Sequence, residues 1–157
     1  MAGIASKRTV AIGDDSFDVA ATLGAGVTYA EEFRGKVKSP YTGLLSDDML
    51  VLFRRCNPKK MKHDENGDPK WVDNDEFEGI EANVDPLLRM TWAMCHACGG
   101  TRLGWAKFRE MCLSCEFVAA QLGALYDTIV NDLGNGVIFR LPERQEGAGT
   151  PDEEQEG

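Results

Sequence analysis

Four of the five cysteines have a spacing that suits metal chemistry. Cys95 and Cys98 form one CxxC pair, and Cys112 and Cys115 form a second. The interval between the pairs falls within the range of zinc sites built from four thiolates, which hold the ion in a tetrahedral arrangement. Spacing alone therefore favours a zinc site at this quartet.

A helical pattern competes with zinc for the same side chains. From Trp105 to Leu133, apolar residues recur at alternating intervals of three and four, which is typical of one buried face of a single long helix. Cys112 and Cys115 belong to this stripe, and no glycine-bearing turn follows them. We therefore favour buried free thiols and no bound cofactor, because cysteine readily fills small buried positions. A zinc ion clamped between two antiparallel helices stays open as the alternative.

No other motif predicts catalysis. The chain has two histidines and lacks the nucleophile-elbow, phosphate-loop, zinc-protease and dinucleotide-binding patterns. Asp64, Asn66 and Asp68 imitate the first ligands of a calcium-binding EF-hand loop. Pro69 stands where that loop needs a glycine for its sharp turn, so a polar hairpin turn is the better interpretation. We expect a protein that is not an enzyme.

The charge distribution argues against nucleic-acid and membrane partners. The net charge is −9, and the most acidic stretch is residues 143–157. The one dense basic run, Lys59 to Lys62, is followed at once by acidic residues, whereas nucleic-acid binding needs a sustained basic surface. No apolar run approaches the roughly 20 residues that cross a bilayer. The odd number of cysteines and the lack of a secretory leader indicate a reducing cytoplasm.

The predicted fold class is α+β and mostly α-helical. Residues 1–142 are expected to form a single globular domain, and residues 143–157 a disordered acidic tail with nothing apolar to bury. The predicted elements, in chain order, are a β-hairpin at 8–23, helices within 27–56, a polar loop or hairpin at 57–83, and an antiparallel helical hairpin at 85–133.

Local signals set the predicted helix ends. Gly24 to Gly26 should interrupt the chain before a helix that begins near Val27. Ser39 followed by Pro40 has the signature of a helix N-terminus, and Asp85 followed by Pro86 repeats it.

The two C-terminal helices should share a core. Because only a short turn separates them, they are expected to be antiparallel neighbours. Trp92 and Trp105 flank that turn and should be buried against each other's helices. Leu122 should lie in the middle of the buried stripe.

Two segments and their order carry a resemblance to a known family. Residues 27–35 read Val-Thr-Tyr-Ala-Glu-Glu-Phe-Arg-Gly, and residues 84–94 read Val-Asp-Pro-Leu-Leu-Arg-Met-Thr-Trp-Ala-Met. With the N-terminal hairpin before them and a Trp-bearing helix after them, they resemble the tail assembly chaperones of long-tailed bacteriophages over most of residues 8–133. The chain departs from the family pattern at Arg34, which separates Phe33 from Gly35, and in its paired CxxC motifs.

The resemblance implies a small, non-catalytic protein of the host cytoplasm that is absent from the mature virion. Such a chaperone self-associates and binds the tape measure protein, and in some cases the tail tube protein, while the tail tube is assembled. Because a tape measure protein is long, largely helical and apolar, its chaperone should present apolar grooves and stay soluble through net charge. The residues we expect to contact a partner are Tyr29, Phe33, Tyr41, Leu44 and Leu45.

Two other functions stay open at the level of sequence. One is a small zinc-binding adaptor or regulatory protein organised by Cys95, Cys98, Cys112 and Cys115. The other is a head-tail connector or another structural protein of the virion, which would use the same helices for ring contacts.

Overall fold

The computed structural model of the protein describes residues 5–137 and confirms the predicted α+β, mostly helical class. The predicted acidic tail at 143–157 lies outside the described residues. In chain order, the elements are β1 (Arg8–Ile12), β2 (Asp15–Val19), α1 (Leu23–Phe33), α2 (Leu45–Arg55), β3 (Lys59–His63), β4 (Pro69–Asp73), α3 (Val84–Ala97), α4 (Trp105–Leu113), α5 (Ala119–Tyr126), a π-helical segment (Asp127–Asp132) and a last helical turn (Gly134–Val137).

The N-terminal hairpin is confirmed, but it is shorter than predicted. β1 and β2 pair antiparallel, with Ile12 opposite Asp15, so Gly13 and Asp14 form a two-residue turn. Gly13 has a φ of +63°, a conformation that glycine adopts at little cost. Val10, Ile12 and Val19 are buried under the helices.

Helix α1 begins earlier than the glycines suggested. Thr22 caps the helix, because its Oγ1 accepts a hydrogen bond of 3.0 Å from the backbone N–H of Ala25. Gly24 and Gly26 therefore lie in the first turn of the helix and do not precede it. Ala25, Tyr29 and Phe33 recur every four residues and form the buried face.

Helix α2 begins later than Ser39 and Pro40 predicted. The Ser39–Pro40 peptide bond is cis, and the helix starts at Leu45. Asp48, in the first turn, accepts hydrogen bonds from the backbone N–H groups of the preceding loop. Pro40 was expected to begin the first turn of the helix. It lies instead in the preceding loop, which Asp48 of α2 holds through these hydrogen bonds.

The polar hairpin predicted within residues 57–83 is confirmed. β3 and β4 pair antiparallel from Lys59 and Asp73 to His63 and Pro69. Asp64 Oδ1 accepts hydrogen bonds of 2.9 Å from the N–H groups of Asn66 and Asp68, and so organises the turn.

Helix α3 is the central element of the core. A short 3₁₀ turn, Glu81–Asn83, leads into it, so the helix starts one residue before the predicted cap at Asp85. Most of its side chains are buried, and it contacts α1, α2, α4 and β2. Arg109 of α4 pairs with Asp85 at 2.8 Å, and Trp105 lies near Trp92 at the other end, so α3 and α4 are antiparallel as predicted.

The single long helix predicted from Trp105 to Leu133 is wrong. Helix α4 ends at Leu113, residues 114–118 are not helical, and α5 begins at Ala119. The Ser114 hydroxyl donates 2.8 Å to the Glu110 carbonyl, a contact that competes with helix propagation, and Val118 is extended at the start of α5. Gln121 then ties α5 to the N-terminal hairpin through both backbone groups of Gly13. The apolar residues keep their spacing of three and four across residues 114–118, although the helix is interrupted there.

Candidate partner-binding surfaces

An aromatic cluster joins three helices at the centre of the molecule. The ring centroid of Phe33 lies 5.9 Å from that of Trp92 and 5.2 Å from that of Trp105, and the two indoles are 6.1 Å apart. Phe33 packs edge to face with both tryptophans, and the two indoles are tilted relative to each other. Trp92 is buried as predicted, whereas Trp105 is only half-buried. The Trp92 indole N–H donates 2.9 Å to the Leu103 carbonyl, which fixes the turn between α3 and α4.

A buried carboxylate ties α1, α2 and the loop between them together. Asp48 is fully buried, and it accepts hydrogen bonds from the Tyr29 hydroxyl at 2.8 Å, the Thr42 N–H at 2.7 Å and the Gly43 N–H at 2.9 Å. Burial raises the pKa of Tyr29 well above its usual range, so the hydroxyl stays a donor at neutral pH. The arrangement satisfies a charge that would otherwise be costly to bury.

Tyr41 lies between two arginines. The guanidinium of Arg55 is 5.5 Å from the centroid of the tyrosine ring, and that of Arg89 is 5.4 Å from it. The Tyr41 hydroxyl donates 2.9 Å to the buried side chain of Asn83. Burial raises the pKa of Tyr41 to about 12. The side chain is thus held by contacts within the chain.

Most of the residues predicted to contact a partner form this core instead. Tyr29, Phe33, Tyr41 and Leu45 are buried within the single chain. Leu44 is the exception, with 37% of its surface exposed. The aromatic side chains of segment 27–35 pack inside the protein, and Val27 is its one exposed large apolar residue.

The four cysteines support the N-terminal hairpin. The Cys98 thiol lies 3.4 Å from the Asp18 carbonyl oxygen, and the Cys115 thiol lies 3.8 Å from the Ile12 carbonyl oxygen. Both contacts have the geometry of weak sulfur hydrogen bonds. Cys95 and Cys112 are buried behind them.

A zinc site at these four cysteines stays a prediction. Among residues 5–137, no group of three or more histidine, cysteine, aspartate or glutamate side chains is placed to hold a metal ion. Burial raises the pKa of Cys95 and of Cys112 to about 12, so without a bound metal both are protonated thiols at neutral pH. Gly13 and Cys115 are in close contact, since a Cβ on Gly13 would lie 2.7 Å from the Cys115 sulfur.

An apolar groove opens where the predicted long helix breaks. This α4–α5 groove lies between Ile12 and Gly13 of the first hairpin, the 114–118 connection, Leu88 of α3 and Leu125 of α5, and it encloses about 280 Å³. Its rim carries large exposed side chains: Leu113, Phe117 and Val118 are 50%, 65% and 43% exposed.

This groove could not be predicted from the apolar stripe, because that stripe places residues 113–118 in the middle of one helix. A signal was present, since Leu113, Phe117 and Val118 lie off the predicted stripe. Two residues of the predicted stripe lie outside the core at this point. Ala119 is exposed, and Leu122 is half-buried in the groove wall.

Two further apolar features lie elsewhere on the surface. Leu23 is 93% exposed and lines a cleft of about 490 Å³ with Leu44 at the start of α2. Trp71 of β4 is also exposed, and it lines a cavity of about 240 Å³ with Phe53 and Met61. Neither feature combines as many exposed and buried apolar side chains as the α4–α5 groove.

Comparison with known proteins gives no relative on which to base a function. No protein-family model matches the chain, and no curated protein or solved structure matches it. Within residues 5–137, no helix is both long enough and apolar enough to span a membrane.

Proposed function

We propose that this protein is a phage tail assembly chaperone, a non-catalytic protein that self-associates and binds the tape measure protein during assembly of the tail tube. The observation that carries the proposal is the aromatic cluster. Phe33 comes from the first family-like segment, Trp92 from the second and Trp105 from the Trp-bearing helix that follows. The three sequence features of the resemblance therefore contribute to one packed unit.

Packing of these three aromatic side chains against one another gives a common physical reason for the separate motifs. A phenylalanine and two tryptophans from distant parts of the sequence pack against one another, and aromatic pairs of this kind stabilise a core beyond the area they bury. The segments must then occur together and in a compatible order, as they do in the family that the chain resembles. This supports the resemblance more strongly than any one motif does.

The surface also suits a chaperone of an apolar chain. Among the described residues, eight large apolar side chains are exposed, and three of them form the rim of the α4–α5 groove. Monomeric soluble proteins rarely leave such patches without a partner. The net charge of −9 supplies the solubility that a protein with these patches needs.

Co-expression with the tape measure protein encoded nearest to this gene tests the proposal. We expect the tape measure protein to stay in the supernatant with this chain and to precipitate without it. Light scattering of the purified chain should show a mass that rises with concentration, since self-association is part of the function. A monomer at every concentration, together with an insoluble tape measure protein in both cultures, would contradict the proposal.

A further inference from the structure

The α4–α5 groove offers a partner apolar contacts and almost no free polar side chain. The amide of Gln121, which lines the groove, is engaged at both ends: its Oε1 accepts from the Gly13 N–H at 3.0 Å, and its Nε2 donates to the Gly13 carbonyl at 3.0 Å. The Cys115 thiol lies against the carbonyls of Ile12 and Met111. A helix suits this lining best, because it satisfies its own backbone hydrogen bonds and needs none from the groove.

The size of the groove suits side chains of a macromolecule. Its volume of about 280 Å³ lies just below the roughly 300–1,000 Å³ typical of small-molecule sites. Its three rim residues stand in solvent rather than closing over the groove. An apolar anchor from a partner helix would fill the groove while the rest of that helix covered Leu113, Phe117 and Val118.

The charges around the groove are acidic. Glu116 is the one charged residue among the described residues that line it, and no lysine or arginine does so. Asp14 and Asp15 follow Gly13 directly in the hairpin turn and are exposed. Electrostatic complementarity therefore selects a partner with basic residues beside its apolar face.

We propose that the α4–α5 groove binds an apolar helical segment flanked by lysine or arginine residues. The rim residues Leu113, Phe117 and Val118 cover the apolar face, and the carboxylates of Glu116, Asp14 and Asp15 face the basic flanks. If the proposed function is right, on which this assignment to a partner rests, the segment belongs to the tape measure protein.

A pair of matched double variants tests the position of the site. Leu113→Ser/Phe117→Ser removes one leucine and one phenylalanine from the groove rim. Leu23→Ser/Phe77→Ser removes the same two residue types from other exposed positions. Circular dichroism should show both variants folded, because all four residues are at least 46% exposed.

The first readout uses two designed helical peptides with the same leucine-rich face, one flanked by lysines and one by glutamates. The lysine-flanked peptide should bind the wild-type chain more tightly, measured by fluorescence anisotropy. The rim variant should weaken that binding about tenfold or more, the equivalent of losing roughly 1.4 kcal/mol, while the control variant should bind as the wild type does. Glu116→Lys should remove the preference for the lysine-flanked peptide at low ionic strength.

Equal binding of the two peptides, or equal weakening by both double variants, would overturn the groove assignment. Loss of the light-scattering oligomer in the rim variant alone would also overturn it, because the groove would then be a contact between copies of this chain. The second readout repeats co-expression with the tape measure protein. If the peptides behave as expected and the wild-type chain does not keep the tape measure protein soluble, the groove assignment stands and the proposed function fails.

Discussion

At the scale of single residues, small side chains and a buried carboxylate determine how closely the elements approach each other. Gly43 has a φ of +89°, and a Cβ added there would lie 2.3 Å from the Phe33 carbonyl oxygen. Its N–H also donates to Asp48. The loop between α1 and α2 can reach the end of α1 only because position 43 has no side chain.

Gly43→Ala is therefore expected to be strongly destabilising. The substitution combines backbone strain with a clash against backbone atoms, so the free energy of unfolding should fall by more than about 2 kcal/mol. Urea denaturation followed by fluorescence measures this. Gly26→Ala is the matched control, because a Cβ at Gly26 meets nothing within 4 Å and the position is helical. That variant should be neutral or more stable by about 0.5–1 kcal/mol, and equal losses in the two variants would contradict the account.

Alkaline pH should destabilise the fold through its thiols. Burial raises the pKa of Cys95 and Cys112 from 9.0 to about 12, so the unfolded chain loses these protons before the folded chain does. The stability they contribute is fully present below about pH 9 and is lost as the pH rises from there toward 12. Denaturant midpoints measured across that interval should fall, and they should fall less steeply in Cys112→Ala. Identical pH profiles would show that burial does not raise the pKa of the Cys112 thiol.

At the scale of elements, the class and order of the helices and hairpins could be predicted, because periodicity and turn residues report them directly. Both hairpins, the central helix α3 and the antiparallel contact between α3 and α4 follow from such signals. The start of α2 could not be found in this way, because it depends on Asp48 and Tyr29, which meet only after folding. The break at residues 114–118 could not be predicted, because the apolar residues after it continue the same spacing of three and four.

Because the helix is broken at residues 114–118, two positions of the same apolar stripe should differ in how much an alanine substitution destabilises the protein. Ile129 is fully buried, so Ile129→Ala should leave a cavity and cost about 2–5 kcal/mol. Leu122 is half-buried in the groove wall, so Leu122→Ala should cost distinctly less than Ile129→Ala. Urea denaturation of both variants compares them directly. A cost for Leu122→Ala as large as that for Ile129→Ala would favour the continuous helix that the sequence suggested.

At the scale of the whole molecule, the residues fall into two groups with different tasks. The segments that resemble a chaperone family supply Tyr29, Phe33, Trp92 and the contacts around Asp48, which build the core. The connection at residues 114–118 supplies Phe117 and Val118 to the exposed rim of the α4–α5 groove. The sequence could therefore suggest a resemblance through core residues, but it could not locate the exposed groove, because exposure depends on how the helices pack.

Hydrogen exchange in the complex with the tape measure protein tests the central claim most directly. We predict that the amides of residues 113–118 exchange more slowly in the co-purified complex than in the free chain, while those of residues 23–27 are unchanged. The exposed Leu23 and Val27 on α1 serve as the internal control. A complex in which 113–118 exchange as in the free chain would contradict the groove as the binding surface, and failure to form any soluble complex would contradict the chaperone function itself.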